Sequence, residues 1–263
     1  MSRKSSKSIQ FAIIVFPLTL LLCAGFELGL HQNSPMLADV SARSTYIVIN
    51  GIRLHYLEWG RRGQSIVLIH GLYDDAGVWK SLAPLLAVDS HILAPDRRGA
   101  DDGEVSKKGP DTQTQINDLL ALIRSQNLSP VTLVGHSAGA EIALRVASQH
   151  PEVVRSVIMI EGGFWPPSRD YDPESLYPRV SSPVLLIVAH QNQPGVDLLT
   201  EYQRRGINYF DQIKKAEQHV KEVAESRLQH GKMVVIENSS HWVQKDQPTV
   251  LAQAIKKFLS GIR

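Results

Sequence analysis

The chain has 263 residues, a formal net charge of +2 and a single cysteine, Cys23. No basic patch is interleaved with aromatics, so nucleic-acid binding finds no support. With Cys23 inside an apolar N-terminal stretch, the rest of the chain has no disulfide, no cysteine nucleophile and no thiolate metal site.

The first 42 residues read apart from the rest. Arg3, Lys4 and Lys7 precede a 16-residue uncharged run, Phe11 to Phe26, which Glu27 closes. A basic start followed by an apolar middle is the layout of a secretory signal. The other reading is an uncleaved membrane anchor within residues 8–30, its basic end left in the cytoplasm. Both export the domain. A hydrophobic N-terminal helix on a cytosolic protein is the third reading. Residues 43–263 suit one α/β domain with a full core.

Within that domain, Thr45 to Asn50 and Arg53 to Trp59 alternate like strands, and Asn50-Gly51 between them is a hairpin turn. Near-continuous apolar runs follow at Ser65–Ile69, His91–Ala94, Val131–Val134, Val157–Ile160, Val184–Val188 and Met233–Ile236. Such runs read as strands buried on both faces, as a parallel sheet requires. Helical patterns at Val78–Leu86, Thr112–Arg124, Ala138–Ser148 and Val250–Leu259 separate most of them. The segment 196–227 is charged and helical in pattern, suited to one or two surface helices. The fold class expected is α/β: a mainly parallel central sheet of about eight strands with helices on both faces.

Gly135-His136-Ser137-Ala138-Gly139 falls between the strand Pro130–Val134 and a helix beginning near Glu141. Glycines two before and two after a serine allow a sharp strand-to-helix turn that presents the hydroxyl. A serine needs a neighbouring base to become a nucleophile. His241, in Asn238-Ser239-Ser240-His241-Trp242, stands just after the last strand and before the Pro248-initiated final helix, where a loop returns to the same sheet edge. His70 and His136 flank glycine turns and read as structural or pocket-shaping. The oxyanion formed on an attacked carbonyl needs donors. The Leu72 amide after His70-Gly71 and the Ala138 amide at the helix start are the candidates.

The order His70-Gly71, Asp96-Arg97-Arg98-Gly99, Gly-x-Ser-x-Gly and a late Ser240-His241-Trp242 before Asp246-Gln247-Pro248 resembles the α/β-hydrolase superfamily from about Thr45 to Arg263. The resemblance implies Ser137 as nucleophile, His241 as base and the Leu72 and Ala138 amides as oxyanion hole. It also implies an Asp shortly after Val184–Val188, but the chain there reads Ala189-His190-Gln191-Asn192. An Asp→Asn change of this kind in a serine protease costs about 10⁴ in turnover. Glu161, directly after Val157–Ile160, is the replacement expected, since some members of the superfamily place their acid at the end of that strand. Asp197, or no acid at all, are the alternatives. Two further departures stand out: Arg98-Gly99-Ala100-Asp101-Asp102-Gly103 replaces the usual Arg-Gly-His-Gly loop, and no long cap follows Glu161.

Phe164, Trp165, Pro166, Pro167, Tyr171 and Tyr177 either line an open apolar pocket, with Tyr73, His136 and Trp242, or simply pack their loop. Asp96, Asp101 and Asp102 read as loop solvation rather than a cation site. No His-x-x-x-His pair stands beside acids, so no metal is expected, and no cofactor. The partner expected is a small-molecule ester or other acyl substrate, with the oligomeric state left open. The leading function is a serine hydrolase that cleaves a carboxylic ester through an acyl-enzyme. A serine in the elbow argues against the dehalogenase and epoxide-hydrolase chemistry of the superfamily, which uses an aspartate there. Amide, thioester or lactone cleavage, acyl transfer, or a non-catalytic binding protein of the same fold are the alternatives.

Overall fold

A computed structural model describes residues 41–100, 111–164, 171–192 and 194–262. The expected N-terminal signal or anchor, Trp165–Pro167, Asp101 and Asp102 lie outside them. Eight strands form one sheet in the order β1-β2-β4-β3-β5-β6-β7-β8. β1 (Arg43–Ile49) and β2 (Ile52–Trp59) make the expected hairpin. β2 also runs antiparallel to β4 (Ser90–Pro95). The others, β3 (Gln64–Ile69), β5 (Val131–His136), β6 (Val154–Ile160), β7 (Val184–His190) and β8 (Gly231–Glu237), are joined by parallel pairings.

The apolar runs explain this arrangement. Every residue of β5 is buried, as are the last five of β6, because the strand is covered on both faces. One core cluster joins Leu133, Val157 and Leu186 to Ile116, Leu119, Ile142 and Val146 of α2 (Thr112–Ser125) and α3 (Ala138–Gln149). The other joins Leu68, Ile158 and Ile187 to Trp79, Leu86 and Leu251, Ile255 and Phe258 of the final helix. The helix expected over Val78–Leu86 is instead two short pieces, a 3₁₀ turn at Ala76–Trp79 and α1 (Ala83–Leu86). Pro84 at the start of α1 has no N–H to continue a preceding turn.

The segment after β7 forms two helices, α4 (Val196–Arg204) and α5 (Tyr209–Glu222). α4 buries no residue and α5 buries only Tyr209 and Val220, so both lie on the surface as their charge suggests. α6 (Val243–Asp246) and α7 (Pro248–Ser260) close the chain. Among the described residues no helix is long and apolar enough to cross a membrane.

Parallel strands share one carboxyl edge. His136 pairs in register with Ile160, and Ile160 with Ile187, so β5, β6 and β7 end side by side. Hydrogen bonds continue past the strand ends, from Ser137 N to Ile160 O at 2.9 Å and from Glu161 N to Ile187 O at 3.0 Å.

Candidate active site

Ser137 sits at φ 52°, ψ −119°, a left-handed value that a serine seldom adopts. The surroundings hold it there. A Cβ on Gly135 would come within 2.3 Å of Gly139 O, and one on Gly139 within 2.2 Å of Ile69 O. Only bare glycines let β5 turn directly into α3 with the helix pressed on the sheet. Ala138 is the first residue of α3, so its N–H has no intrahelical acceptor.

Glu161 leaves β6 at φ 51° with the carboxylate buried at the strand end. Its Oε1 accepts from Ala189 N at 2.7 Å, and its Oε2 lies 3.4 Å from His241 Nδ1. Gly162 fixes this path: a Cβ there would come within 2.3 Å of Ser137 O, so the chain after β6 passes against the main chain of Ser137. The three residues expected to act together are therefore assembled at one edge, Ser137 after β5, Glu161 after β6 and His241 after β8. Among the described residues Ser137 Oγ has no hydrogen-bond partner, and the His241 side chain is 40% exposed. An apo site often leaves that last contact to form with substrate.

Asn192 does not face His241. Its Nδ2 donates to Glu237 Oε2 at 2.8 Å and to Asn238 Oδ1 at 3.3 Å, tying the β7 loop to the β8 loop. An aspartate here would set two carboxylates against each other, which accounts physically for the amide. Asp197 is exposed in the first turn of α4 and, among the described residues, is not bonded to His241.

The histidine loop is held from several sides. Ser240 donates to Asp246 Oδ2 through both its N (2.8 Å) and its Oγ (2.6 Å). His136 Nε2 donates to the carbonyl of His241 at 2.8 Å. The late Ser-His-Trp and Asp-Gln-Pro motifs thus form one turn.

The opposite side carries the His70-Gly71-Leu72 turn. Gly71 O accepts from His70 Nδ1 at 2.8 Å and from Arg97 Nη2 at 2.7 Å, while Arg97 N donates to His70 Nε2 at 2.9 Å. These bonds fix a neutral His70 protonated on Nδ1. Burial, with the Arg97 charge against it, draws this ring down to about 4. Burial also lowers Arg97 to about 10, still charged at neutral pH. Because C=O and N–H point oppositely in a trans peptide, drawing Gly71 O inward turns the Leu72 N–H the other way. A Cβ on Gly71 would lie 3.3 Å from Ser137 Cβ, so this peptide borders the serine.

Asp96 corrects the sequence reading. It is buried, not loop-solvating: Oδ1 accepts from Ala76 N at 2.6 Å and Oδ2 meets His55 Nδ1 at 2.5 Å. Phe164 is fully buried in the core, with its carbonyl bound by His219. Tyr171 donates to Gly163 O at 2.9 Å, and Tyr177 is buried beside it. The described part of that aromatic set, Phe164, Tyr171 and Tyr177, packs with the core. His136 is likewise buried, at 1% exposed. Leu72, Tyr73 and Trp242 are the exposed apolar side chains at the rim, Tyr73 at 81%. Asp74 and Lys245, unremarked in the sequence, join the two loops: Lys245 Nζ lies 3.7 Å from Asp74 Oδ1 and 5.6 Å from the Trp242 ring. Nothing in the residue pattern marks that pair except the run Tyr73-Asp74-Asp75 after the glycine turn. Among the described residues no cluster of three or more potential ligands could hold a metal.

The sequence model described as the alpha/beta hydrolase fold matches residues 64–194. A soluble epoxide hydrolase of Corynebacterium sp. (strain C12) is 31% identical over 43% of this chain and 40% of its own length. An N-formylmaleamate deformylase of Pseudomonas putida is 31% identical over 48% of each. The matches thus span less than half of these relatives. Among solved structures, a membrane phospholipase A described as a bacterial virulence factor superposes with a TM-score of 0.67 at 19% identity, covering 85% of this chain and 87% of that one. The eight-stranded sheet, its order and the family match agree: the chain belongs to the α/β-hydrolase superfamily.

Proposed function

We propose that the protein is a serine hydrolase that cleaves a carboxylic ester through an acyl-enzyme on Ser137. What supports this most directly is the 3.4 Å approach of the Glu161 carboxylate to His241 Nδ1 beside a serine held in the left-handed turn. His241, with Nδ1–H toward Glu161, keeps Nε2 free as a base. It takes the Ser137 proton as Oγ attacks the ester carbonyl. The oxyanion then meets the Leu72 and Ala138 amides. Such donors are already oriented before charge develops, and removing one typically costs about 10²–10³ in turnover. His241 returns the proton to the departing alcohol as the C–O bond breaks. Water, deprotonated by the same nitrogen, then releases the acid and restores Ser137 Oγ–H.

The serine in the elbow disfavours epoxide opening, despite the match to an epoxide hydrolase, because that chemistry uses an aspartate there. A second reading, cleavage of an N-acyl bond with the same residues, draws support from the match to a deformylase. Residues 1–42 are read as a signal or anchor that exports the domain.

The test is labelling of the protein with a fluorophosphonate, beside Ser137→Ala, followed by matched p-nitrophenyl ester and N-acyl substrates. Labelling lost in Ser137→Ala and ester turnover above amide turnover are expected. A folded protein that fails to label overturns the reading.

A further inference from the structure

We propose that His136 is a positioning residue that holds the general base by its main chain, a role that rests on the reading of Ser137 and His241 given above. The geometry begins with the carbonyl of His241. A carbonyl only accepts, so the 2.8 Å contact from His136 Nε2 requires a hydrogen on that nitrogen. The two rings lie 4.7 Å apart between centroids at 53°. His136 therefore grips the backbone of His241 and supports one side of its ring, while Glu161 addresses the ring Nδ1 from elsewhere.

The placement suits a fixed strut. His136 ends β5 immediately before Ser137, so one peptide carries both the attacking residue and the support for its base. Its ring is buried. Burial, followed by the charge of His241, draws it down to about 4, so it stays neutral while His241 cycles through its imidazolium. A charged ring at that distance would oppose each imidazolium; a neutral one does not. The other nitrogen, Nδ1, lies 3.7 Å from Asp74 Oδ2 and makes no hydrogen bond among the described residues. The Nε2 bond is thus the polar contact that orients the ring.

Losing this bond frees the His241 backbone at the point where its side chain must meet Ser137 within a few tenths of an ångström. Misplacement by about 1 Å can cost about 10²-fold in rate. The test compares two isosteres in the full-length protein. His136→Gln keeps an N–H near the Nε2 position, whereas His136→Met keeps the volume and removes the donor. For ester hydrolysis, His136→Met is expected to lose about tenfold or more in kcat with KM little changed, and His136→Gln to recover most of it, with both melting temperatures lowered alike. If Met does not fold, His136→Gln against His136→Leu makes the same comparison. Equal kcat within either pair, or a loss only in KM, overturns the proposal. Wild-type turnover that survives Ser137→Ala would instead overturn the site reading on which it rests.

Discussion

Replacing Glu161 by Gln is the sharpest perturbation of the site. The amide oxygen still accepts from Ala189 N, so the local fold keeps its 2.7 Å bond. What changes is the partner offered to His241. An amide nitrogen donates to Nδ1, leaving the hydrogen on Nε2, where the base needs a lone pair. The charge that supports the imidazolium also disappears. At the observed 3.4 Å, unit charges attract by about 5 kcal/mol at an effective dielectric near 20 and about 1.2 kcal/mol in water. His241 is 40% exposed, so an intermediate value of ~2–4 kcal/mol applies. At about 1.36 kcal/mol per tenfold, that corresponds to a loss of about 30- to 10³-fold in kcat/KM, and the wrong tautomer carries it toward the upper end. The assay is steady-state hydrolysis of a p-nitrophenyl ester, with Asp197→Asn as the companion. That companion is expected to stay within about twofold of wild type, since Asp197 is exposed on α4. Glu161→Gln within twofold of wild type, with its fold intact, would refute the assignment of the acid.

Asn192→Asp restores the acid of the usual superfamily pattern but faces Glu237, so it is expected to lower the melting temperature and to rescue less than tenfold of the activity lost in Glu161→Gln. Recovery beyond that would return the acid to the β7 loop. Arg97→Met removes one of two donors that orient the Gly71 peptide, and about a 10–10²-fold fall in kcat and in fluorophosphonate labelling rate is expected. An unchanged labelling rate would separate Arg97 from the oxyanion peptide. Gly162→Ala drives a methyl into Ser137 O, costing ~1–3 kcal/mol or more in chemical denaturation together with activity. His70 and His136 are both held near 4, against about 6.5 for an unfolded histidine. Below about pH 6.5 the unfolded chain takes up protons that the folded chain refuses. Stability is therefore full above that pH and is lost as pH falls toward 4, by ~2 kcal/mol per histidine between pH 7 and 5. Urea unfolding at both pH values checks this, and His136→Gln should show the smaller loss.

The sheet was legible in the sequence because a strand covered on both faces must be apolar throughout, and β5, β6 and β7 are. The helix expected over Val78–Leu86 failed for the opposite reason. Its apolar spacing is helical, but Pro84 divides it, and a covalent constraint on one residue outweighs periodicity over nine. Asp96 misled through its neighbours. An acid among Arg97, Arg98 and Gly99 looks solvated, and only the tertiary approach of Ala76 and His55 shows it buried. Aromatic residues in a loop carry the same ambiguity, because Phe164 and Tyr177 could face a ligand or their own loop with identical composition.

The vacancy at Asn192 was readable as an absence, whereas the contacts that orient the expected replacement were not. Glu161 could be nominated from strand order, but what fixes its direction is Gly162 passing under Ser137 and the Ala189 amide holding Oε1. Both are contacts between segments far apart in the chain. The same holds for His136 and His241, whose link spans 105 residues and runs from a side chain to a carbonyl that every residue possesses. A sequence motif names the groups that do chemistry by their side chains. The groups that aim them act largely through the main chain, which leaves no residue-type signature at the receiving end. An intact Gly-x-Ser-x-Gly therefore speaks to a nucleophile, while the activity proposed for this site turns on two carbonyls, those of Gly71 and His241, and on the buried histidines that hold them.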